Sequence, residues 1–505
     1  MSSRAYTVAF DGVDARSVEV QCALSAGIPA LAVVGLPDKA VSEARERVRA
    51  ALAALGIALP SKRITINLSP ADLPKEGSHF DLPIALAILA ALEVIPKDAL
   101  EGAVALGELS LDGGIVAVRG ALPAALLAAE QSRLLICPAT CGAEAAWVGD
   151  AQVLAPETLN AIIRHFNGRA ALHPAEPRAI TTPTHAAPDM RDVKGQERAK
   201  RALEIAAAGR HHVLLVGTPG SGKSMLAARL PSLLPPMNAI EALETSIIHS
   251  VAGVLPEGGI RTTRPFQQPH HTASTAALVG GGRRAGPGEI SLAHNGILFM
   301  DEFPEFPRSV LETLRQPLET GHITVSRANA HMRYPARFLL AAAANPCKCG
   351  YFSDPARACS RVPACGDDYM GRISGPLMDR FDLRIEVPPV AFQDLDLPAS
   401  GDTSAAIAAR VAAARAIQET RFEADTTARL NADAEGQMLE QIAAPDAEGR
   451  DILNRAADRF GMSARGYHRI LRVARTIADL AECQTVQKPH IAEAISFRLA
   501  SMKEL

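Results

Sequence analysis

The stretch HHVLLVGTPGSGKSMLAARL joins an apolar strand, a glycine-rich turn and the start of a helix. Its turn, Gly217-Thr218-Pro219-Gly220-Ser221-Gly222-Lys223-Ser224, fits the spacing GxxxxGK[ST] in the strand–loop–helix context that the pattern needs. Glycines let backbone N–H groups wrap a phosphate chain at a helix N-terminus. Lys223 is then placed to reach the β- and γ-phosphates and Ser224 to hold Mg²⁺, so ATP and Mg²⁺ are the expected cofactors. Downstream, NGILFMDEF is an apolar strand ending in Asp301 and Glu302. An acid leaving a buried strand beside such a loop orients Mg²⁺ through water, which is the part expected of Asp301, and the second acid polarises the attacking water. A third apolar strand, RFLLAAAANP, ends in Asn345, an amide that can help position the same water, although asparagine also ends strands simply as a turn former.

Two further groups of residues carry chemistry. In PCKCGYFSDPARACSRVPACGDDY, Cys347, Cys349, Cys359 and Cys365 fall within one Gly- and Pro-rich stretch. Four thiolates can close a tetrahedral structural zinc site. The C-x-C and C-x₅-C spacing departs from the commoner CxxC pairs, so four free thiols stand as the alternative. Cys22, Cys137, Cys141 and Cys483 are scattered and read as packing residues. In LMDRFDL, Arg380 sits between Asp379 and Asp382, which poses a fixed positive charge against two carboxylates. A surface ion pair would be worth little.

These groups need elements to position them. Residues 1 to about 170 alternate β-like runs (ALAVVGL, RITINLS, RLLICP) with an Ala-rich helical run, AVSEARERVRAALAALG, which is α/β patterning. HPAEPRAITTPTHAAPD reads as a linker within 171–189. Strands and helices alternate again over 190–395, and 396–505 is mostly helical, with DTSAAIAARVAAARAIQETRF near its opening and HRILRVARTIADLAE near its close. The 505 residues suffice for several domains at roughly 100–200 residues each. A net charge of −3 excludes a uniformly basic nucleic-acid coating protein, but not a ring whose few contacts lie in a pore. MSSRAYTVAF lacks the basic start and apolar run of a secretory signal, and FDLPIALAILAALEVI falls short of the ~20 residues a membrane span needs. A cytoplasmic protein is expected.

GTPGSGKS, ILFMDE, LLAAAANP and MDRFDL in this order resemble an AAA+ ATPase of the helix-2-insert group, which includes the magnesium chelatase ATPase subunit and the MCM helicases. EGSHFDLPIALAILAAL, PFQQPHHTASTAALVGGG and YMGRISGPLMDRFDL narrow the likeness to the ComM/YifB family, over nearly the whole chain. The resemblance implies a Lon-protease-like (S5 domain 2-like) α/β domain at 1–170, an AAA+ core with helix-2 insert at 190–395 and a helical lid at 396–505. It also implies a homohexameric DNA helicase that drives branch migration while transforming DNA is integrated. By the same likeness Arg380 is a finger pointing at a neighbour's nucleotide, with Asp379 and Asp382 fixing its rotamer or pairing across the interface. Arg465 in GMSARGYHRILR resembles the sensor-2 residue, which contacts the γ-phosphate.

The hairpin stretch TVSRANAHMRYPAR holds Arg327, His331, Arg333 and Arg337, and QQPHHTAS offers His270 and His271. In similar helicases such segments face a pore and grip DNA phosphates. Each of these side chains alone, like Arg283, Arg284, Lys62 and Arg63, also reads as a solvated charge. Peptidase chemistry of the Lon type needs a Ser nucleophile and a Lys base. Around the expected nucleophile turn the chain reads HFDLPIAL, with no Ser following Phe80 in that stretch and Ser78 upstream, and GIVAVRGALPAALLAAE carries Arg119 but no Lys. Arginine cannot act as a base near neutral pH, so a non-proteolytic scaffold is expected. A chelatase-type motor that remodels a protein partner and an ATP-dependent protease are the rival readings, the second disfavoured by the missing Ser–Lys pair.

Overall fold

The computed structural model describes residues 2–178, 188–255, 259–281, 285–327, 330–352, 357–390, 401–425 and 428–498, with the side chains of 326, 327, 330 and 331 left aside. Arg283, Arg284 and much of the expected linker lie outside the described residues.

The N-terminal region builds on β1 (Ser2–Asp11), β2 (Asp14–Ser25), β3 (Ala30–Val34), β4 (Arg63–Ser69) and β5 (Ala103–Ala105). A short ribbon follows, β6 (Glu108–Leu109) with β7 (Ile115–Val116), and then β8 (Leu134–Ile136) and β9 (Val153–Leu154). Seven of these form one mixed sheet in the order β3-β4-β2-β1-β5-β8-β9. In β2, Val18, Val20 and Cys22 are buried while their neighbours are partly open, the period of two expected of a strand with one face in a core. The long β1–β2 hairpin escapes the sequence reading, because its apolar runs are broken by charged and polar residues.

The stretch that fell short of a membrane span is the helix Asp81–Ala91, buried at every residue beneath β1 and β2 and beside the helix Lys39–Ala54. A helix that is apolar all round belongs inside a core. Its first residue, Asp81, is fully buried and accepts two hydrogen bonds from Arg47, at 2.6 and 2.9 Å, and one from Leu109 N–H at 3.2 Å. Burial raises the Asp81 carboxyl, and the guanidinium opposes it. Among the described residues no helix is long and apolar enough to cross a membrane.

The second region contains β10 (Val213–Val216), β11 (Phe266–Gln267), the pair β12 (Gly280–Gly281) and β13 (Gly286–Pro287), and β14 (Ile297–Met300). It continues with β15 (His322–Arg327), β16 (Ala330–Pro335), β17 (Leu339–Ala344) and β18 (Leu383–Glu386). The main sheet is parallel, in the order β11-β14-β17-β10-β18, and β15 with β16 forms an antiparallel hairpin. Every residue of β10, β14 and β17 is buried. Parallel strands covered on both faces read as unbroken apolar runs, which is why these three were visible in the sequence.

The helices Ser404–Phe422, Ala447–Phe460, Ala464–Leu480 and Lys488–Arg498 follow. Their apolar faces share one core with Val213, Leu215 and the helix Glu197–Gly209. The helical region is therefore continuous with the nucleotide-loop sheet. The N-terminal region docks on the helix Ala239–Ala252 of the second region: Gly120 N–H donates to Ser250 O at 3.2 Å, and the Ser250 hydroxyl donates to the half-buried Glu144 carboxylate. A cavity of about 430 Å³, lined in part by Phe10, Ser78, Glu108, Met332 and Tyr334, separates the mixed sheet from the foot of the β15–β16 hairpin.

Candidate nucleotide-binding site

The chain leaves β10 into the Gly217–Ser224 loop and enters the helix Lys223–Ala227. Gly220 and Gly222 have φ of 80° and 93°, a left-handed conformation that side-chain-bearing residues resist. The Lys223 ammonium folds back over this loop, donating to Gly217 O and Thr218 O at 2.8 Å each and to Asn345 Oδ1 at 3.2 Å. Burial lowers the Lys223 pKa, and the charges of Asp301 and Glu302 oppose that shift. Ser224 Oγ donates to Asp301 Oδ2 at 2.6 Å, so two hard oxygen ligands already stand side by side. That donor set suits a small divalent cation such as Mg²⁺, and the loop with its ammonium suits a polyphosphate.

Parallel register explains the convergence. Val216 pairs with Ala344, and Met300 pairs with Ala342, so the ends of β10, β17 and β14 lie together. Lys223, Asp301, Glu302 and Asn345 therefore meet at the carboxyl edge of the sheet, where open α/β folds place ligands. Glu302 takes φ of 51°, an uncommon conformation for a residue with a side chain. Its carboxylate lies 3.2 Å from His271 Nδ1, and the His270 and His271 rings lie 4.1 Å apart. This His271–Glu302 pairing is absent from the sequence reading, which set His271 toward DNA. His270 is exposed and bonds Thr272 Oγ1 at 2.8 Å.

Arg380 stands elsewhere. It precedes β18, whose first residue pairs with the first residue of β10, so it occupies the end of the sheet opposite the loop. Its guanidinium donates to Pro376 O and Glu319 Oε2 at 2.7 Å each, while its Nε is buried without a hydrogen-bond partner. Arg465 reaches the other oxygen of Glu319 at 3.5 Å. Arg380, Arg465, Arg469, Arg337 and Arg210 line a cavity of about 520 Å³ there.

The acids flanking Arg380 do not neutralise it. Asp379 pairs with Arg498, and Asp382 accepts from Arg469 at 2.6 Å and from His212 N–H at 3.0 Å. Burial works to raise the Asp382 carboxyl, yet Arg469 and His211 beside it hold it well below the usual carboxylate range. Both acids tie the sheet to the C-terminal helices within one chain, where the sequence reading had them fix the Arg380 rotamer or pair across an interface.

The thiols of Cys347, Cys349 and Cys365 lie within 4.8 Å of one another, with Cys347 and Cys349 sulfurs 3.0 Å apart. Cys359, the fourth expected ligand, does not fall within this group. Three convergent sulfurs suit an ion of the zinc type. Of the hairpin residues, Arg333 is exposed and bonds His322 Nδ1 at 3.0 Å, and Arg327 closes β15 with its side chain outside the description. Arg337 lies past the hairpin, in the arginine-lined cavity. Lys62 and Arg63 are exposed just ahead of and at the start of β4.

Three family models match in chain order: subunit ChlI of Mg-chelatase over residues 18–141, magnesium chelatase subunit ChlI over 189–395, and the ChlI C-terminal part over 401–498. Competence protein ComM of Haemophilus influenzae is 44% identical, covering 98% of this chain and 96% of its own. The uncharacterized protein YifB of Escherichia coli is 42% identical with the same coverage of each chain. The magnesium-chelatase 38 kDa subunit of Rhodobacter capsulatus is 26% identical over 66% of this chain and 91% of its own. With full-length likeness of this order and a phosphate loop at the carboxyl edge of a parallel α/β sheet, the chain belongs to the ComM/YifB family of magnesium chelatase-like AAA+ proteins.

Proposed function

We propose that this protein is an ATP-driven, homohexameric DNA helicase or translocase that promotes branch migration during integration of transforming DNA, acting in the cytoplasm. The observation that carries the reading is the division of the catalytic set between opposite ends of one sheet. Lys223, Asp301, Glu302 and Asn345 gather at the carboxyl edge, and Arg380 and Arg465 share Glu319 at the far end. A second copy completes such a site by presenting its arginine edge to the first copy's loop, and a head-to-tail interface of this kind closes into a ring.

Within that site Lys223 offsets the β- and γ-phosphate charge, while Ser224 and Asp301 hold Mg²⁺, which screens the phosphates when bound. Glu302 draws a proton from the attacking water and Asn345 orients it. Arg380 and Arg465 of the adjoining subunit stabilise charge on the transferring phosphoryl group. Arg327, Arg333 and His270 supply sequence-independent phosphate contacts, and zinc occupies the cysteine cluster. Residues 1–170 form a Lon-like but non-proteolytic domain, 171–189 a linker, 190–395 the ATPase core with a helix-2 insert and 396–505 the lid. Two contacts support the loss of peptidase chemistry: the Ser78 hydroxyl donates to Glu108, and the buried Lys75 ammonium donates to Pro70 O.

The second reading, a motor that remodels a protein partner, draws on the likeness to the magnesium-chelatase 38 kDa subunit. ATP turnover with and without forked or four-way-junction DNA separates the two. Stimulation, strand unwinding and steep loss of binding with salt are expected. An ATPase indifferent to every DNA tried would move the remodelling reading ahead.

A further inference from the structure

We propose that the cysteine cluster is a metal-dependent brace of the phosphate loop, so that metal loading sets nucleotide affinity; this rests on the zinc reading of the cluster given above. The two sites are joined covalently and by packing. Asn345, whose amide oxygen meets the Lys223 ammonium at 3.2 Å, is separated from Cys347 by Pro346 alone. The turn that brings Cys347 and Cys349 together is closed by Gly350 N–H donating to Cys347 O at 3.0 Å. That same Gly350 lies directly on the phosphate loop. A Cβ added there would stand 2.5 Å from Pro219 Cγ and 2.6 Å from Pro219 Cδ, and φ of 85° already favours glycine. At the far end of the loop Gly366, next to Cys365, packs on the Phe352 ring, where an added Cβ would fall 2.8 Å away.

Zinc–thiolate bonds of about 2.3 Å set tetrahedral sulfurs roughly 3.8 Å apart. Three of the four sulfurs already lie within 4.8 Å of each other, so the metal needs only a small adjustment. Bound, it ties Cys347 and Cys349 to Cys365 and keeps Gly350 seated on Pro219. Released, the Cys347–Gly350 turn is no longer tied to Cys365, so Pro219 loses the support of Gly350, and Asn345, two residues ahead of Cys347, gains freedom beside Lys223. Nothing in the brace touches the phosphates directly, so its effect falls on affinity through the geometry of Gly217–Ser224.

The test uses the full chain, purified without chelator, with elemental analysis for metal and a fluorescent ATP analogue for affinity. About one zinc per chain is expected in the wild type. The variant Cys359→Ser/Cys365→Ser should lose the metal and bind the analogue roughly tenfold more weakly, the cost of about one good contact. Gly350→Ala keeps all four thiols; it should keep the metal and still lose affinity by a similar roughly tenfold factor, which guards against simple misfolding of the cysteine variant. Metal lost with affinity unchanged, or Gly350→Ala binding as wild type does, overturns the brace while the zinc reading stands. A wild type without metal, its thiols free or paired as a disulfide, overturns the zinc reading and the brace with it.

Discussion

The mixed sheet near the N-terminus and the parallel sheet after it both bury apolar strands, yet the charged groups beside them are handled differently. In the mixed sheet the charges are satisfied internally: Asp81 is closed by Arg47 and Leu109 N–H, Ser78 donates to Glu108, and Lys75 donates to Pro70 O. In the parallel sheet Lys223, Asp301 and Glu302 stand on a shared edge, held by contacts a ligand can replace. The difference follows from topology. Parallel strands end together, so groups leaving three neighbouring strands converge, whereas an antiparallel hairpin such as β1–β2 sends its ends in opposite directions.

Arg380→Ala tests the far end of the parallel sheet and carries the largest expected effect. ATP should still bind, but turnover should fall by roughly 10³–10⁵, the usual worth of an arginine supplied in trans. Mixing it with Lys223→Ala should restore part of the activity, because mixed rings pair an intact loop with an intact arginine. Mixed rings that form and stay inactive would remove Arg380 from that role. Next in size is Glu302→Gln, expected to bind ATP and slow hydrolysis by about 10²–10⁴, the range of general-base catalysis. Single-turnover kinetics at wild-type rate would transfer the part to another residue.

In the mixed sheet the same kind of change should strike stability alone. Arg47→Met leaves the buried Asp81 without its cation and should cost about 3–5 kcal/mol in chemical denaturation. Affinity for ATP at temperatures where the variant is folded should hold. A loss of nucleotide binding without a loss of stability would mean the two sheets are not as separate as the contrast states. Smaller again, Arg333→Ala should lower the salt dependence of DNA binding by about one unit of slope and leave basal turnover alone. Ser78→Ala should change no activity at all; any peptidase signal that it abolishes would reopen the protease reading.

The parallel strands, the phosphate loop and the acids after β14 were legible because each rests on a local requirement: unbroken apolar runs, left-handed glycines, and a charge at a strand tip. The β1–β2 hairpin was not, since charged and polar residues break its apolar runs. The His271–Glu302 contact was missed for a different reason: it joins the segment after β11 to the end of β14, and nothing in QQPHHTAS announces that pairing.

The sequence by itself determined the nucleotide loop and its acids, the α/β regions and the helical end, because backbone conformation and side-chain burial there are set within a few residues. Only the tertiary structure decided what surrounds Arg380. Asp379 finds Arg498 119 positions away and Asp382 finds Arg469 87 positions away. Those distant arginines leave Arg380 to Glu319, shared with Arg465, at the end of the sheet away from its own loop. Which of several like charges a carboxylate takes depends on where packed helices bring them and on how deeply each is buried, and neither is written in local spacing.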